Sequence, residues 1–186
     1  MMHVKKCLAG LLIGLLAVFL VGCGETVTPE KVDSNTSSQE KEDANPTAQD
    51  AENQKPPAPQ TFAVGEQIKM GDLIFVVNSV RDSEGDQFIK PQQGHVYKMV
   101  DVTLENVGNE SDVISSLMMF SLSDADGYKY NVTIGPETKG SLDGELQPGR
   151  KMRGELTFEV PKDAKGLELL FEPNVFGFGQ AIVKLH

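Results

Sequence analysis

Met152-Arg153-Gly154-Glu155-Leu156-Thr157-Phe158-Glu159-Val160 decides the fold. Met152, Gly154, Leu156, Phe158 and Val160 point one way; Arg153, Glu155, Thr157 and Glu159 point the other. A sustained period of two belongs to a β-strand with one buried face. Pro148-Gly149 supplies a turn just before it. Upstream, Val100, Val102 and Leu104 alternate with Asp101, Thr103 and Glu105, and Asn106 to Asn109 ends that strand with a turn.

Further out the pattern repeats. Leu73-Ile74-Phe75-Val76-Val77 follows the turn Gly71-Asp72, which makes a hairpin with a strand around Glu66 to Met70. Phe120 and Leu122 share a face within Val113 to Ser123. Asp126-Gly127 is a hairpin signal, with Tyr128, Tyr130 and Val132 on one face of the returning strand. Leu167, Leu169 and Phe171 come after a Lys-Gly turn, and Ala181, Val183 and Leu185 form the last strand. No window carries sustained helical periodicity. Seven to eight short strands separated by turns predict an all-β fold, two antiparallel sheets packed as an immunoglobulin-like β-sandwich over residues 61–186. About 125 residues suits one such domain.

The N-terminal third has a different character. Lys5 and Lys6 precede an uncharged apolar run, Leu8 to Leu20, shorter than the roughly 20 residues of a membrane-spanning helix. Leu20-Val21-Gly22-Cys23 ends it and resembles the lipobox of bacterial lipoproteins. The resemblance implies a signal peptide over 1–22, cleavage between Gly22 and Cys23, and a diacylglycerol on the Cys23 thiol. The protein is then expected on the extracytoplasmic face of a cell membrane, held through that lipid. Cys7 falls in the signal, so Cys23 is the one cysteine of the mature chain and no internal disulfide can form. Residues 23–60 contain no aromatic residue, Leu or Ile, and close on Lys55-Pro56-Pro57-Ala58-Pro59. Such a stretch cannot bury enough apolar surface to fold. It reads as a disordered, acidic linker with a reach of roughly 35 Å.

Several blocks together carry a second resemblance. They are Val64-Gly65-Glu66, Gly71-Asp72-Leu73, Val100 to Asn106, Phe120 to Gly127, Leu146-Gln147-Pro148-Gly149 and Gly154 to Pro161. In this order they resemble the DUF4352 domain of exported Gram-positive proteins. That family is related in fold to an immunoglobulin-like secreted mycobacterial antigen. The resemblance implies a sandwich on a surface lipoprotein and carries no catalytic motif across.

Candidate chemistry is sparse. His3 lies in the signal, His186 is the last residue and His95 stands alone, so no Ser-His-Asp or Cys-His set is legible. Asp124-Ala125-Asp126-Gly127 resembles the start of a calcium loop but lacks the later ligands. With the acidic Asp82 to Asp86 loop it leaves a calcium- or small-solute-binding accessory role as the alternative. No metal ligand, cofactor or catalytic residue is assigned. The formal net charge of −10 repels nucleic acid. Arg150, Lys151 and Arg153 read as a solvated basic strand edge. Phe176 and Phe178, between glycines in Pro173 to Gly179, are the candidate interaction loop; the competing reading has them plug the open end of the sandwich. The expected function is a non-catalytic binding module of the cell envelope. Its partner would be an envelope protein, a wall component or a small ligand.

Overall fold

The computed structural model describes residues 28–32, 60–136, 138–173 and 179–185. Gly22 and Cys23 lie outside these residues, as do Phe176 and Phe178. Two five-stranded sheets pack face to face. The first contains β1 (Glu30–Lys31), β3 (Gln67–Met70), β4 (Leu73–Ser83), β5 (His95–Asn106) and β10 (Lys151–Pro161), in that order. The second runs β2 (Thr61–Ala63), β12 (Ala181–Lys184), β11 (Glu168–Phe171), β7 (Phe120–Ser123), β8 (Lys129–Asn131). A two-stranded ribbon, β6 (Asp112–Ile114) with β9 (Gly144–Leu146), lies apart from both sheets, and one short helix, α1 (Ser116–Met119), leads into β7.

The alternating strands pair as their pattern requires. In β10 and β5, Leu156 faces Val100 and Gly154 faces Val102, so the apolar sides of both strands line the core. Phe75 from the first sheet meets Phe171 from the second at 4.5 Å, and Phe120 stacks on Phe171 at 4.7 Å. All three rings are buried. Each such side chain contributes roughly 1.5–3 kcal/mol, which is how a domain without a disulfide holds together.

Three features depart from the simple alternating sandwich. First, β2 pairs with β12 in parallel, Phe62 beside Val183. Parallel neighbours need a long connection, and here the whole domain separates the two strands. Second, the polar side of β5 and β10 is not all solvated. Tyr97, Met99 and Thr157 lie on that side and are buried. Over Thr157 the cover is Gly135: a Cβ there would fall 2.4 Å from Thr157 Cγ2. Third, Tyr128 lies outside β8 and is exposed, so only Tyr130 and Val132 of the expected face pack on the core.

Residues 28–32 belong to the stretch read as linker. With Gln60 they are the part of it that the structure describes, and they add a two-residue strand to the edge of β3.

Candidate functional site

The outer face of the first sheet carries most of the organised polar chemistry. The antiparallel register of β5 and β10 puts Asp101 directly opposite Glu155. Two like charges across a strand pair destabilise it unless they are neutralised. Two arginines do this. Arg153, two residues before Glu155 on β10, reaches Asp101 on the neighbouring strand with two bonds of 2.9 and 2.6 Å. Arg81 on β4 spans β5 and grips Glu155 with two bonds of 2.9 Å. Both forks match the carboxylate geometry that makes arginine pairs strong. The guanidiniums hold Asp101 and Glu155 below their ordinary carboxylate pKa values, against the opposing effect of burial.

A register shift in β4 between Val77 and Ser79 completes the network. Asn78 is the extra residue of this bulge, and its amide donates to Asp101 Oδ1 at 3.0 Å and Thr103 Oγ1 at 2.9 Å. On the other side the Lys139 N–H donates to Glu155 Oε2 at 3.0 Å. The basic cluster of the sequence is therefore largely spent inside the fold: Arg153 on Asp101, and Lys151 on Glu105 at 3.0 Å.

Two shallow cavities adjoin at Gly140 and Glu155. One, of about 380 Å³, lies among Ser79, Arg81, Asp101, Lys139 and Arg153. The other, of about 250 Å³, is walled by Ser116, Ile134, Thr138, Ser141, Asp143 and Thr157. In the second, the Ser116 N–H donates to Asp143 at 2.8 Å and the Ser116 hydroxyl lies 3.0 Å from both carboxylate oxygens. Thr157 Oγ1 has no protein partner among the described residues. Beside this cavity, Ile134 is 82% exposed, and Leu117, next in the chain after Ser116, is 68% exposed; Val113 and Met118 are exposed as well.

The closeness of the segment 139–142 to β10 depends on two glycines: a Cβ on Gly140 would fall 2.3 Å from the Arg153 carbonyl oxygen. A Cβ on Gly154 would sit 2.8–2.9 Å from the Ser141 main chain. With only hydrogen there, Gly140 bridges to Gly154 and the Glu155 N–H donates to Lys139 O at 2.9 Å.

The residues singled out by sequence go elsewhere. Asp124 is the turn residue of the β7–β8 hairpin: Oδ1 accepts the Asp126 and Tyr128 N–H groups, and Oδ2 takes the Tyr130 hydroxyl at 2.6 Å. That bond to a carboxylate pushes the Tyr130 pKa up to about 12. In the acidic loop, Asp82 pairs with Lys98, Glu84 pairs with Lys162, and Asp86 accepts the Phe88 and Ile89 N–H groups. Among the described residues no three His, Cys, Asp or Glu side chains come together as a metal site. His95 Nδ1 lies 3.4 Å from the Gln93 carbonyl. Sequence reasoning missed the paired carboxylates and the Ser116–Asp143 cavity. Alternation put Asp101, Arg153 and Glu155 on the outer face, but only the strand register brings them together. Nothing in the sequence signals Ser116 meeting Asp143.

A family model described as "Domain of unknown function (DUF4352)" matches residues 62–182. No curated protein matches the chain. Among solved structures, an uncharacterized β-sandwich protein of Clostridium difficile has 16% identity and a TM-score of 0.51, over 72% of this chain and 99% of that one. The secreted protein MPT63 of Mycobacterium tuberculosis has 17% identity and a TM-score of 0.52, over 69% of this chain and 98% of its own. The candidate lipoprotein ycdA of Bacillus subtilis has 20% identity and a TM-score of 0.52, over 61% of this chain; the match spans about a third of ycdA, 36%. At these identities the likeness is one of fold. No helix among the described residues is long and apolar enough to cross a membrane.

Proposed function

The chain belongs to the DUF4352 family, and on that footing we propose that it is a lipid-anchored extracytoplasmic lipoprotein carrying a non-catalytic interaction module. The anchor reading rests on Leu20-Val21-Gly22-Cys23 and the basic and apolar segments before it. A secreted protein and a candidate lipoprotein among the structures of like fold agree with an exported domain. Two acyl chains on Cys23 give stable membrane attachment where one gives only marginal binding.

The observation that carries the interaction reading is the exposure of Ile134, on the wall of the Ser116–Asp143 cavity, and of Leu117, next in the chain to Ser116. A non-catalytic role is supported by the state of the carboxylates. Asp101 and Glu155 are each held by an arginine of the fold, which suits them to shape a surface rather than to move protons. The partner class is an envelope protein or a wall component. The cavity of about 250 Å³ also favours a second reading, a small solute held by the hydroxyls around Asp143.

Metabolic lipid labelling tests the anchor: Cys23→Ala abolishes labelling, and a variant that still labels overturns it. Leu117→Asp and Ile134→Asp test the surface. Both residues are exposed, so the fold and its melting point stay unchanged while the partner is lost from detergent-solubilised membranes. Unchanged co-purification in both variants overturns the surface. Calorimetric uptake of a neutral solute by the unaltered domain, lost in Asp143→Ala, would favour the second reading.

A further inference from the structure

We propose that the pairing of this chain's own Thr28–Val32 segment with the edge of β3 is a docking contact that holds the domain close to the membrane rather than at the end of its tether. An open sheet edge presents unpaired N–H and C=O groups and pairs readily with an extended peptide. On β3 the added strand is antiparallel, Glu30 beside Lys69 and Lys31 beside Ile68. The Val32 N–H donates to the Gln67 carbonyl at 3.1 Å. Charge sets the fit. Glu30 is opposite Lys69, and the Lys31 ammonium meets Glu66 Oε1 at 2.6 Å. Glu66 is itself fixed by the turn, with Oε2 on the Ala63 N–H at 2.9 Å. The docked segment thus sets an acid followed by a base, Glu30-Lys31, against Lys69 and Glu66.

The consequence for reach follows from chain length, and it rests on the reading of Cys23 as the lipidated residue. From Cys23 to Thr28 is five residues, at most about 17 Å when extended. From Cys23 to Thr61 the free tether would average roughly 35 Å and extend much further. With the segment docked, the first fixed point after Cys23 is Thr28; with it released, the first fixed point is Thr61.

The test uses the full lipidated protein in vesicles of phosphatidylcholine and phosphatidylglycerol carrying an acceptor dye on the lipid headgroup. The donor is attached through Gln93→Cys, an exposed position; acylation of Cys23 leaves that as the single reactive thiol. Two variants release the segment. Val32→Pro removes the N–H that Gln67 accepts, and Lys31→Glu places a carboxylate against Glu66. An exposed ion pair changes the docking equilibrium constant by about two- to fivefold, so Lys31→Glu lowers energy transfer in part and Val32→Pro lowers it further, toward the value of the free tether. Lys31→Arg keeps it. Hydrogen exchange at the Val32 amide is read on the same samples and in detergent: protected in the wild type at any protein concentration, and about two- to fivefold faster in Lys31→Glu. Equal transfer in all variants on vesicle-bound protein overturns the proposal. Protection that rises with protein concentration also overturns it, since the occupant is then a second copy. Protein that fails to bind vesicles overturns the Cys23 reading, and the Val32 amide in detergent then still decides the docking.

Discussion

Removing Arg81 is the sharpest perturbation of the outer face. Glu155 is only 6% exposed and lies opposite Asp101, while Arg81 is 45% exposed. In Arg81→Met the apolar stem is kept and the two 2.9 Å bonds are lost. Breaking a fully buried pair costs about 3–5 kcal/mol, and an exposed pair about 0.2–1. This pair has one buried partner, so the expected loss is about 1.5–3 kcal/mol. Urea unfolding at neutral pH should show the midpoint falling by roughly 1 M, taking a slope of about 2 kcal/mol/M. The pH dependence gives the second readout. Asp101 and Glu155 have folded pKa values lowered by their arginines, so the unfolded chain binds protons first as pH falls. Their stabilisation is complete above the ordinary carboxylate range and is lost as pH drops through it toward the folded values. In Arg81→Met the Glu155 share is already gone, so the wild type and the variant converge in acid. Arg81→Met/Glu155→Gln removes the stranded charge and should recover more than half of the loss. A single variant that unfolds at the wild-type midpoint, or a gap that stays constant into acid, refutes the argument.

Three other outcomes are expected. Phe171→Ala, which removes the ring between Phe75 and Phe120, costs about 3–5 kcal/mol and lowers the melting temperature by well over ten degrees; a small shift would mean that the sheets close over the cavity. Gly154→Ala forces the Ser141 main chain away and costs about 1–3 kcal/mol; an unchanged melt means the segment 139–142 gives way freely. In an alkaline absorbance titration the step lost in Tyr130→Phe should lie near pH 12, because Asp124 favours the neutral phenol and that bond stabilises the fold until the pH rises through this value; a step near the ordinary tyrosine value would refute the 2.6 Å bond.

What the sequence made legible, and what it did not, follows from range. The alternation in Met152 to Val160 and Val100 to Glu105 is a property of neighbouring residues, and it located the core face of both strands. The hairpin at Gly71-Asp72 was equally local, with Met70 pairing to Leu73 as the turn requires. The parallel β2–β12 pair was not legible, since it joins the two ends of the domain and no turn announces it. Thr157 reads as an outward polar residue and is buried because Gly135, from another segment, covers it. The Asp101–Glu155 opposition likewise needs the register of two strands about fifty residues apart. Asp124 was legible as a turn residue, and its bonds to Asp126, Tyr128 and Tyr130 leave it little capacity to ligate calcium. The apolar surface was hidden for a different reason. Leu117 and Ile134 are residue types that strands normally bury, and only the fold shows them outside.

The central claim, that this surface of a membrane-held module makes contact, is tested most directly by photo-crosslinking in intact cells. A photoreactive residue replaces Leu117 or Ile134 in the full-length protein, and exposed Lys129 serves as the control position. One discrete crosslinked species is expected, shared by positions 117 and 134, absent at 129, and absent when Cys23→Ala removes the anchor. No species above the control, or the same species at all three positions, would contradict it.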